Sequence, residues 1–207
     1  MIDRLALEVD SLENREGSHT AVVMNSSQDL VARARAGDHE AFGLLFERHA
    51  NHVLGFLFHL IGQREVAEEL TQETFVRAYR GLPEFRDESK FSTWLFGIAR
   101  NTAREWLRSQ AGRDGNAPAD LESLPQPDGL PSPVDELLGK ELNTAILGAL
   151  EFLDEDRRAV FALKVLQQRS YQEIVEITGF SLAKVKIELH RARGEMRRRL
   201  RPYLETK

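Results

Sequence analysis

The sequence predicts an all-α chain: two small helical domains joined by a flexible, acidic, proline-rich linker, the second ending in a helix-turn-helix. Three observations predict it. Apolar residues recur at three- and four-residue spacing over most of 30–108 and again beyond 137, and long β-branched runs are absent. Five of the seven prolines fall between Pro118 and Pro133, where each interior proline would cost a helix about 3 kcal/mol. Finally, a chain of net charge −5 places eight Lys/Arg against two Glu between Lys184 and Arg201. A helix that carries so much local positive charge is suited to a polyanion, whatever the total charge of the chain.

Composition removes several function classes. With 207 residues, one domain or two small ones can each bury a core. The absence of cysteine excludes disulfides, thiolate metal sites and thiol redox sensing by this chain. No apolar run reaches the roughly 20 residues of a membrane span, and Met1-Ile2-Asp3-Arg4 opens a polar segment. The expected location is therefore cytoplasmic, without direct membrane insertion. There is no glycine-rich phosphate loop and no nucleophile–base constellation, so no enzyme activity, cofactor or small-molecule substrate is expected. His49, His52 and His59 share one apolar helix, but no carboxylate or Cys completes a ligand set, and no metal is expected there.

The elements follow in order. Residues 1–28 show no strong period and read as a disordered acidic extension. Residues 29–108 read as a helical domain. Leu30, Val31 and Ala34 form a first amphipathic turn, ended by Gly37-Asp38. Phe42, Leu45, Phe46, His49, Val53, Phe56, Leu57 and Leu60 mark a second helix that Gly62 closes. A third runs from about Glu65 to Arg80, offering Val66, Leu70, Phe75, Val76 and Tyr79 to the core, and Gly81-Leu82-Pro83 breaks it. After an irregular stretch from Phe85 to Phe91, a fourth helix begins near Ser92, with Trp94, Leu95, Ile98, Thr102, Trp106 and Leu107 inward. Trp106 is expected wholly in the core; Trp94 is divided between core and surface.

Residues 109–135 read as the linker, with ends roughly 30 Å apart for a random coil of that length. From 136 to 203, Leu137–Leu153 and Glu155–Leu166 read as two packing helices. Ser170 and Glu173 have capping-box spacing, and Gly179-Phe180 leaves room only for a tight turn before Ser181 opens the last helix. Leu182, Val185, Leu189, Ala192 and Met196 form its buried stripe, which leaves Lys186, Ile187, His190 and Arg191 facing outward.

Four stretches belong together. Ala67-Glu68-Glu69-Leu70-Thr71-Gln72-Glu73-Thr74-Phe75-Val76-Arg77-Ala78-Tyr79 precedes Phe91-Ser92-Thr93-Trp94-Leu95-Phe96-Gly97-Ile98-Ala99-Arg100-Asn101. Ser170-Tyr171-Gln172-Glu173-Ile174 and Leu189-His190-Arg191-Ala192-Arg193 follow in the right order. Over about residues 28–201 the chain resembles the extracytoplasmic-function sigma factors, the minimal two-domain initiation factors of bacterial RNA polymerase. The resemblance implies an alternative sigma factor that directs core polymerase to promoters and assists their melting. On this match 29–108 is sigma region 2 and 136–203 is sigma region 4.

The resemblance also implies sites. Glu68, Glu69, Gln72, Glu73 and Phe75 match the segment that docks on the clamp helices of the polymerase's largest subunit. Phe85, Lys90, Trp94, Arg100, Asn101, Arg104 and Arg108 match the segment that captures the −10 element as single strand. Lys184, Lys186, Ile187, His190 and Arg191 match the −35 reader, with Lys184 on phosphate and Arg197, Arg198 and Arg199 on backbone or in solvent. An anti-sigma factor is an implied partner. Ala183-Lys184 stands where Gly-Thr is common, Ile187-Glu188 replaces a frequent Ser-Arg, and Asp154 takes a usual proline position, so the family's −35 preference does not carry over with the fold. Two alternatives stand beside this reading. One is a sigma-like decoy for an anti-sigma factor, although such decoys carry a receiver domain that this chain lacks. The other is a stand-alone helix-turn-helix regulator, which leaves Ala67–Tyr79 and Phe91–Asn101 unexplained.

Overall fold

A computed structural model describes residues 26–86, 89–111 and 143–204 of the chain. The expected N-terminal extension and most of the expected linker lie outside these residues. Among the described residues every regular element is helical. The chain divides into two compact units, Met1–Leu45 and Phe46–Lys207.

The first unit holds α1 (Ser27–Arg35) and the opening of α2 (His39–Ile61). Ser26 caps α1 by accepting from the Asp29 amide at 3.1 Å. Asp38 starts α2 in the same way, taking the Ala41 amide at 3.0 Å while Arg33 pairs with its other oxygen at 2.8 Å. Leu30, Val31 and Ala34 are buried, the stripe their spacing predicts.

In the second unit, α2 continues to Ile61 and is followed by α3 (Arg64–Gly81), a 3-10 turn (Leu82–Glu84) and α4 (Phe91–Ala111). The end of α4 at Ala111 lies inside the stretch expected as linker. Phe56, Leu57 and Phe58 of α2 are buried with Leu95 and Phe96 of α4, and the Phe56 and Phe96 rings lie 5.2 Å apart. Two buried threonines on α3 satisfy themselves, Thr71 donating to the Ala67 carbonyl and Thr74 to that of Leu70, each at 2.7 Å.

The C-terminal helices are α5 (143–151 among the described residues), α6 (Glu155–Phe161), α7 (Tyr171–Thr178) and α8 (Leu182–Leu204). Asp154 caps α6 through its bond from the Arg157 amide at 2.9 Å, which explains how an acid serves where the family uses proline. One wide turn of π-helix (Ala162–Leu166) ends α6, and Gln168 with φ +55° redirects the chain. The capping box forms as predicted: the Glu173 amide donates to Ser170 Oγ and the Ser170 amide to Glu173 Oε2. Gly179, at φ +70°, ends α7 in the left-handed region that the tight turn requires. Val185, Leu189, Ala192 and Met196 are buried as expected, but Leu182 stays 45% exposed. Side chains lean toward a helix's N-terminus, so the first residue of the stripe overhangs the turn instead of the core.

Within this unit α4 packs against α3 on one side and α7 on the other. Burial pushes His59 down to about 4, partly offset by a bond to the Gly55 backbone. It does the same to His49, where Arg48, His52 and Arg169 add repulsion. The unfolded chain therefore takes up these protons first. Stability should hold above pH 6.5 and fall as pH drops from about 6.5 toward 4, by on the order of 1 kcal/mol per histidine at pH 5 after allowing for part exposure. Urea titrations at pH 7 and pH 5 check this, and His59→Gln should remove part of the difference.

Candidate polymerase and nucleic-acid interfaces

The acidic side of α3 is partly as expected and partly not. Glu68, Glu69 and Gln72 are exposed, with Glu68 held by Arg64 at 2.9 Å. Glu73 is half-buried and accepts from Arg77 Nε at 2.8 Å. Phe75, expected as an aromatic anchor on this surface, is instead buried at 4% exposure, edge-on to Phe46 at 4.7 Å. The exposed apolar residues are Val76 and Tyr79, each 42% exposed, where the sequence pattern offers them to the core. Glu69, Gln72, Val76 and Tyr79 step by three, four and three, so a helical wheel drawn around the acids, rather than around Phe75, identifies them.

On α4 and the loop before it, aromatic residues form one cluster. Phe85 is buried and lies 4.8 Å from Trp94 and 6.1 Å from Phe91. It is therefore a wall and not an exposed stacking platform. Trp94 is half-buried, with its ring against the backbone at Gly81. Trp106 is also only half-buried, against the expectation of a wholly interior residue. Trp94, Phe85, Asn101 and Arg77 line an open cavity of about 410 Å³ with Glu84 and Glu105 at its polar side. Arg77 bridges Glu73 and Glu105, the latter at 2.7 Å, and these two hydrogen bonds hold its guanidinium above its ordinary value. A cavity lined by two aromatic side chains together with a guanidinium, an amide and carboxylates has the donors and acceptors of a base-binding pocket.

The cations expected on the −10 strand are distributed unevenly. Asn101 and Arg108 are exposed. Arg100 is buried at 4% exposure, its Nη1 donating to the Thr178 carbonyl at 3.3 Å and its plane 5.0 Å from the Phe180 ring. Burial pushes it below its ordinary value, aided by Arg104 and opposed by Asp156 and Glu155. Arg104 Nε lies 2.7 Å from Glu155 Oε1, close enough to pair but off the line of a hydrogen bond. Lys90 reaches Glu173 at 3.3 Å while remaining 76% exposed. Arg100 is thus packed against the C-terminal helices instead of standing on an open face.

On α8, Lys186, Ile187, His190 and Arg191 are all exposed on one side, opposite the buried stripe. Lys184 is half-buried, bonded to Asp156 at 2.7 Å and seated over Phe180 at 3.6 Å. Arg157 of α6, not anticipated from the sequence, joins this surface: it binds Glu188 at 2.9 Å, and Glu188 also accepts from Arg191 at 3.3 Å. No local pattern links Arg157 to a residue 31 positions away, so only the fold brings it to Glu188.

Comparison with known proteins fits this geometry. A family model for Sigma-70 region 2 matches residues 45–113, and one for Sigma-70 region 4 matches residues 143–196. The ECF RNA polymerase sigma-E factor of Haemophilus influenzae is 32% identical over 185 residues, 86% of this chain and 97% of that protein. The chain belongs to the extracytoplasmic-function sigma factors. The RNA polymerase sigma-H factor of Pseudomonas aeruginosa is 29% identical, over 88% of this chain and 98% of its own length. The fold matches that of CnrH in complex with the cytosolic domain of CnrY (TM-score 0.65, 24% identity, 85% of this chain and 97% of that one). It also matches the Bartonella quintana sigma factor RpoE in complex with the anti-sigma factor NepR (TM-score 0.63, 23% identity, 77% and 96%). This sigma factor is a transcription initiation factor whose partners are RNA polymerase core and promoter DNA, and α7 and α8 are its helix-turn-helix. Among the described residues no helix is long and apolar enough to cross a membrane.

A Cβ at position 81 would stand 3.3 Å from Trp94 Cζ2, so the ring must shift by a few tenths of an ångström. On the match of Trp94 to the −10 segment, Gly81→Ala should weaken binding of a −10 single strand several-fold. Thermal stability should hold or rise, since Ala favours a helix over Gly by about 0.8–1 kcal/mol. Fluorescence of Trp94 in a Trp106→Phe background reads both effects.

Proposed function

We propose that this sigma factor divides promoter recognition among three surfaces. Glu68, Glu69, Gln72 and Glu73, with Val76 and Tyr79 replacing Phe75 as the apolar contact, dock on the clamp helices of the polymerase's largest subunit. Phe85 and Trp94 wall a pocket for an unstacked base of the −10 strand, while Lys90, Asn101, Arg104 and Arg108 follow its backbone and the buried Arg100 does not reach it. Lys186, Ile187, His190 and Arg191 read the −35 duplex in the major groove, and Lys184 and Arg157 lie near its phosphates. On this reading 29–108 and 136–203 work as region 2 and region 4, joined by 109–135.

The observation that carries the reading is the sidedness of α8: the apolar stripe is buried and the predicted readers all remain at the surface. Support for the −10 assignment comes from the cavity, whose aromatic wall and polar edge suit a base. Melting needs no catalysis by this chain. Binding energy for the flipped base offsets unstacking, a few kcal/mol. The protein acts in the cytoplasm, where polymerase and DNA are. The solved neighbour from Bartonella quintana, in complex with the anti-sigma factor NepR, supports a similar partner for this chain.

Run-off transcription with purified core polymerase tests the assignment as a whole, and no stable holoenzyme at micromolar protein would end it. Arg191→Ala should cost about 1–3 kcal/mol of duplex binding and relax the −35 preference at one position, read by competition among substituted sites. Glu69→Lys should weaken association with core polymerase and leave duplex binding unchanged.

A further inference from the structure

We propose that Glu188 and Arg157 are positioning residues for promoter discrimination: Glu188 aims the Arg191 guanidinium at one base edge, a guanine, and Arg157 holds Glu188 in place. The proposal rests on the assignment of Arg191 to the −35 duplex. Three contacts run in series from α6 to the reading side of α8. Asp154 accepts the Arg157 amide at 2.9 Å with one oxygen and lies 3.2 Å from Arg157 Nη1 with the other. Arg157 Nε donates to Glu188 Oε2 at 2.9 Å, and Glu188 Oε1 accepts from Arg191 Nη1 at 3.3 Å. Each carboxylate thus uses both oxygens, and Arg157 meets its two acids through separate nitrogens.

Burial sets this series apart from an ordinary surface pair. Glu188 is 13% exposed, Arg157 35% and Arg191 57%. Constraint is greatest at the central carboxylate and least at the reader, as a support behind a DNA contact requires. Glu195 is the contrast, since the arginines it binds, Arg198 at 2.6 Å and Arg199 at 2.9 Å, both belong to its own helix. The bond to Glu188 is also the largest effect holding the Arg157 guanidinium above its ordinary value, so this pair stays ionised wherever the protein is folded.

A carboxylate on a DNA-reading helix has a cost, because it repels phosphate. With both oxygens occupied, Glu188 offers the groove no free acceptor; what it fixes is a donor. Arg191 gives Glu188 only Nη1, which leaves Nε and Nη2 as a planar fork. Two parallel donors match two adjacent acceptors, and in the major groove guanine presents these as N7 and O6. An untied arginine samples many rotamers, reaches phosphate as readily as a base and loses that freedom on binding. Among the described residues Lys186, Ile187 and His190, exposed on the same side of α8, have no carboxylate behind them. Discrimination should therefore be concentrated at the position that Arg191 reads.

The test uses holoenzyme assembled from the full chain and core polymerase. Selection from duplexes randomised over the −35 region gives the base preference at each position, and random duplex gives the overall affinity. Arg191→Ala first marks the position that Arg191 reads. Glu188→Gln removes a negative charge, so affinity for random duplex should hold or rise, while the preference for guanine at that position alone falls about three- to tenfold. Arg157→Ala should blur the same position by a similar factor and weaken binding to random duplex, because Glu188 is then left unpaired near phosphate. Both changes together should lose no more discrimination than either alone, since they break one series of contacts. Arg157→Glu with Glu188→Arg separates positioning from packing. It re-forms the pair between α6 and α8 in reverse, so thermal stability should recover relative to Arg157→Ala while the preference stays lost. Recovery of the preference in the reversed pair overturns the proposal, since helix packing alone then accounts for it. An unchanged preference in Glu188→Gln, or equal losses at every position, overturns it as well. If Arg191→Ala changes no position, the fault lies in the −35 assignment, and the proposal falls with it. Should Arg157→Ala not fold by circular dichroism, Arg157→Gln is measured in the same way, and the same outcomes support or overturn the proposal.

Discussion

Arg100 is the point on which the arrangement of the second unit depends. A guanidinium with 4% exposure must find compensation, and α4 by itself provides none. The compensation comes from the C-terminal helices: the Thr178 carbonyl, the face of Phe180 and the more distant Asp156. Those three groups sit at the end of α7, in the tight turn and on α6, so one buried charge brings three separate elements into register. Thr178 ends α7 beside Gly179, whose left-handed backbone turns the chain and places Phe180 over the guanidinium. The residue that makes a short helix-turn-helix possible is also what seats its neighbour on Arg100.

This packing decides how a net-acidic protein handles a polyanion. The strongest cluster of positive charge lies on α8, and its outward side is exposed. The positive charge on α4 is instead balanced within the chain by carboxylates. On the proposed assignment the two surfaces differ: the readers on α8 are exposed, whereas among the −10 residues Arg100 is buried, Lys90 and Arg104 are paired with carboxylates, and Asn101 and Arg108 are exposed.

Local pattern makes much of this legible. The helix periods, the capping box at Ser170 and Glu173, the break at Gly81-Leu82-Pro83 and the buried stripe of α8 all depend on residues within one or two turns of each other, and apart from Leu182 the stripe and the cap lie where their spacing places them. Local pattern does not decide which side of a helix faces outward when both sides carry apolar residues. Phe75 and Val76 are adjacent and both apolar, and only the position of Phe46 on another helix decides that Phe75 turns inward. Trp106 reads as interior because aromatic residues usually are, but it stands half-buried in the second half of α4. The pairing of Arg100 and Arg104 with Asp156 and Glu155 spans some fifty positions, and no periodicity reports a contact at that distance.

The departures from the family pattern make physical sense as one group. Asp154 caps α6, and its other oxygen holds Arg157 at 3.2 Å. Arg157 turns its Nε to Glu188 on α8, raising its own affinity for its proton, chiefly through that hydrogen bond. Glu188 is 13% exposed and accepts from Arg191 with its remaining oxygen. An acid on a DNA-reading helix is expected to repel phosphate, but this one is held between two guanidiniums, so the trio keeps a net positive charge. The tie also restricts the rotamers of Arg191, which on the proposed −35 role lowers the entropy it loses on binding. Asp154 thus supplies an oxygen for Arg157, and Arg157 in turn offsets the charge of Glu188 on α8.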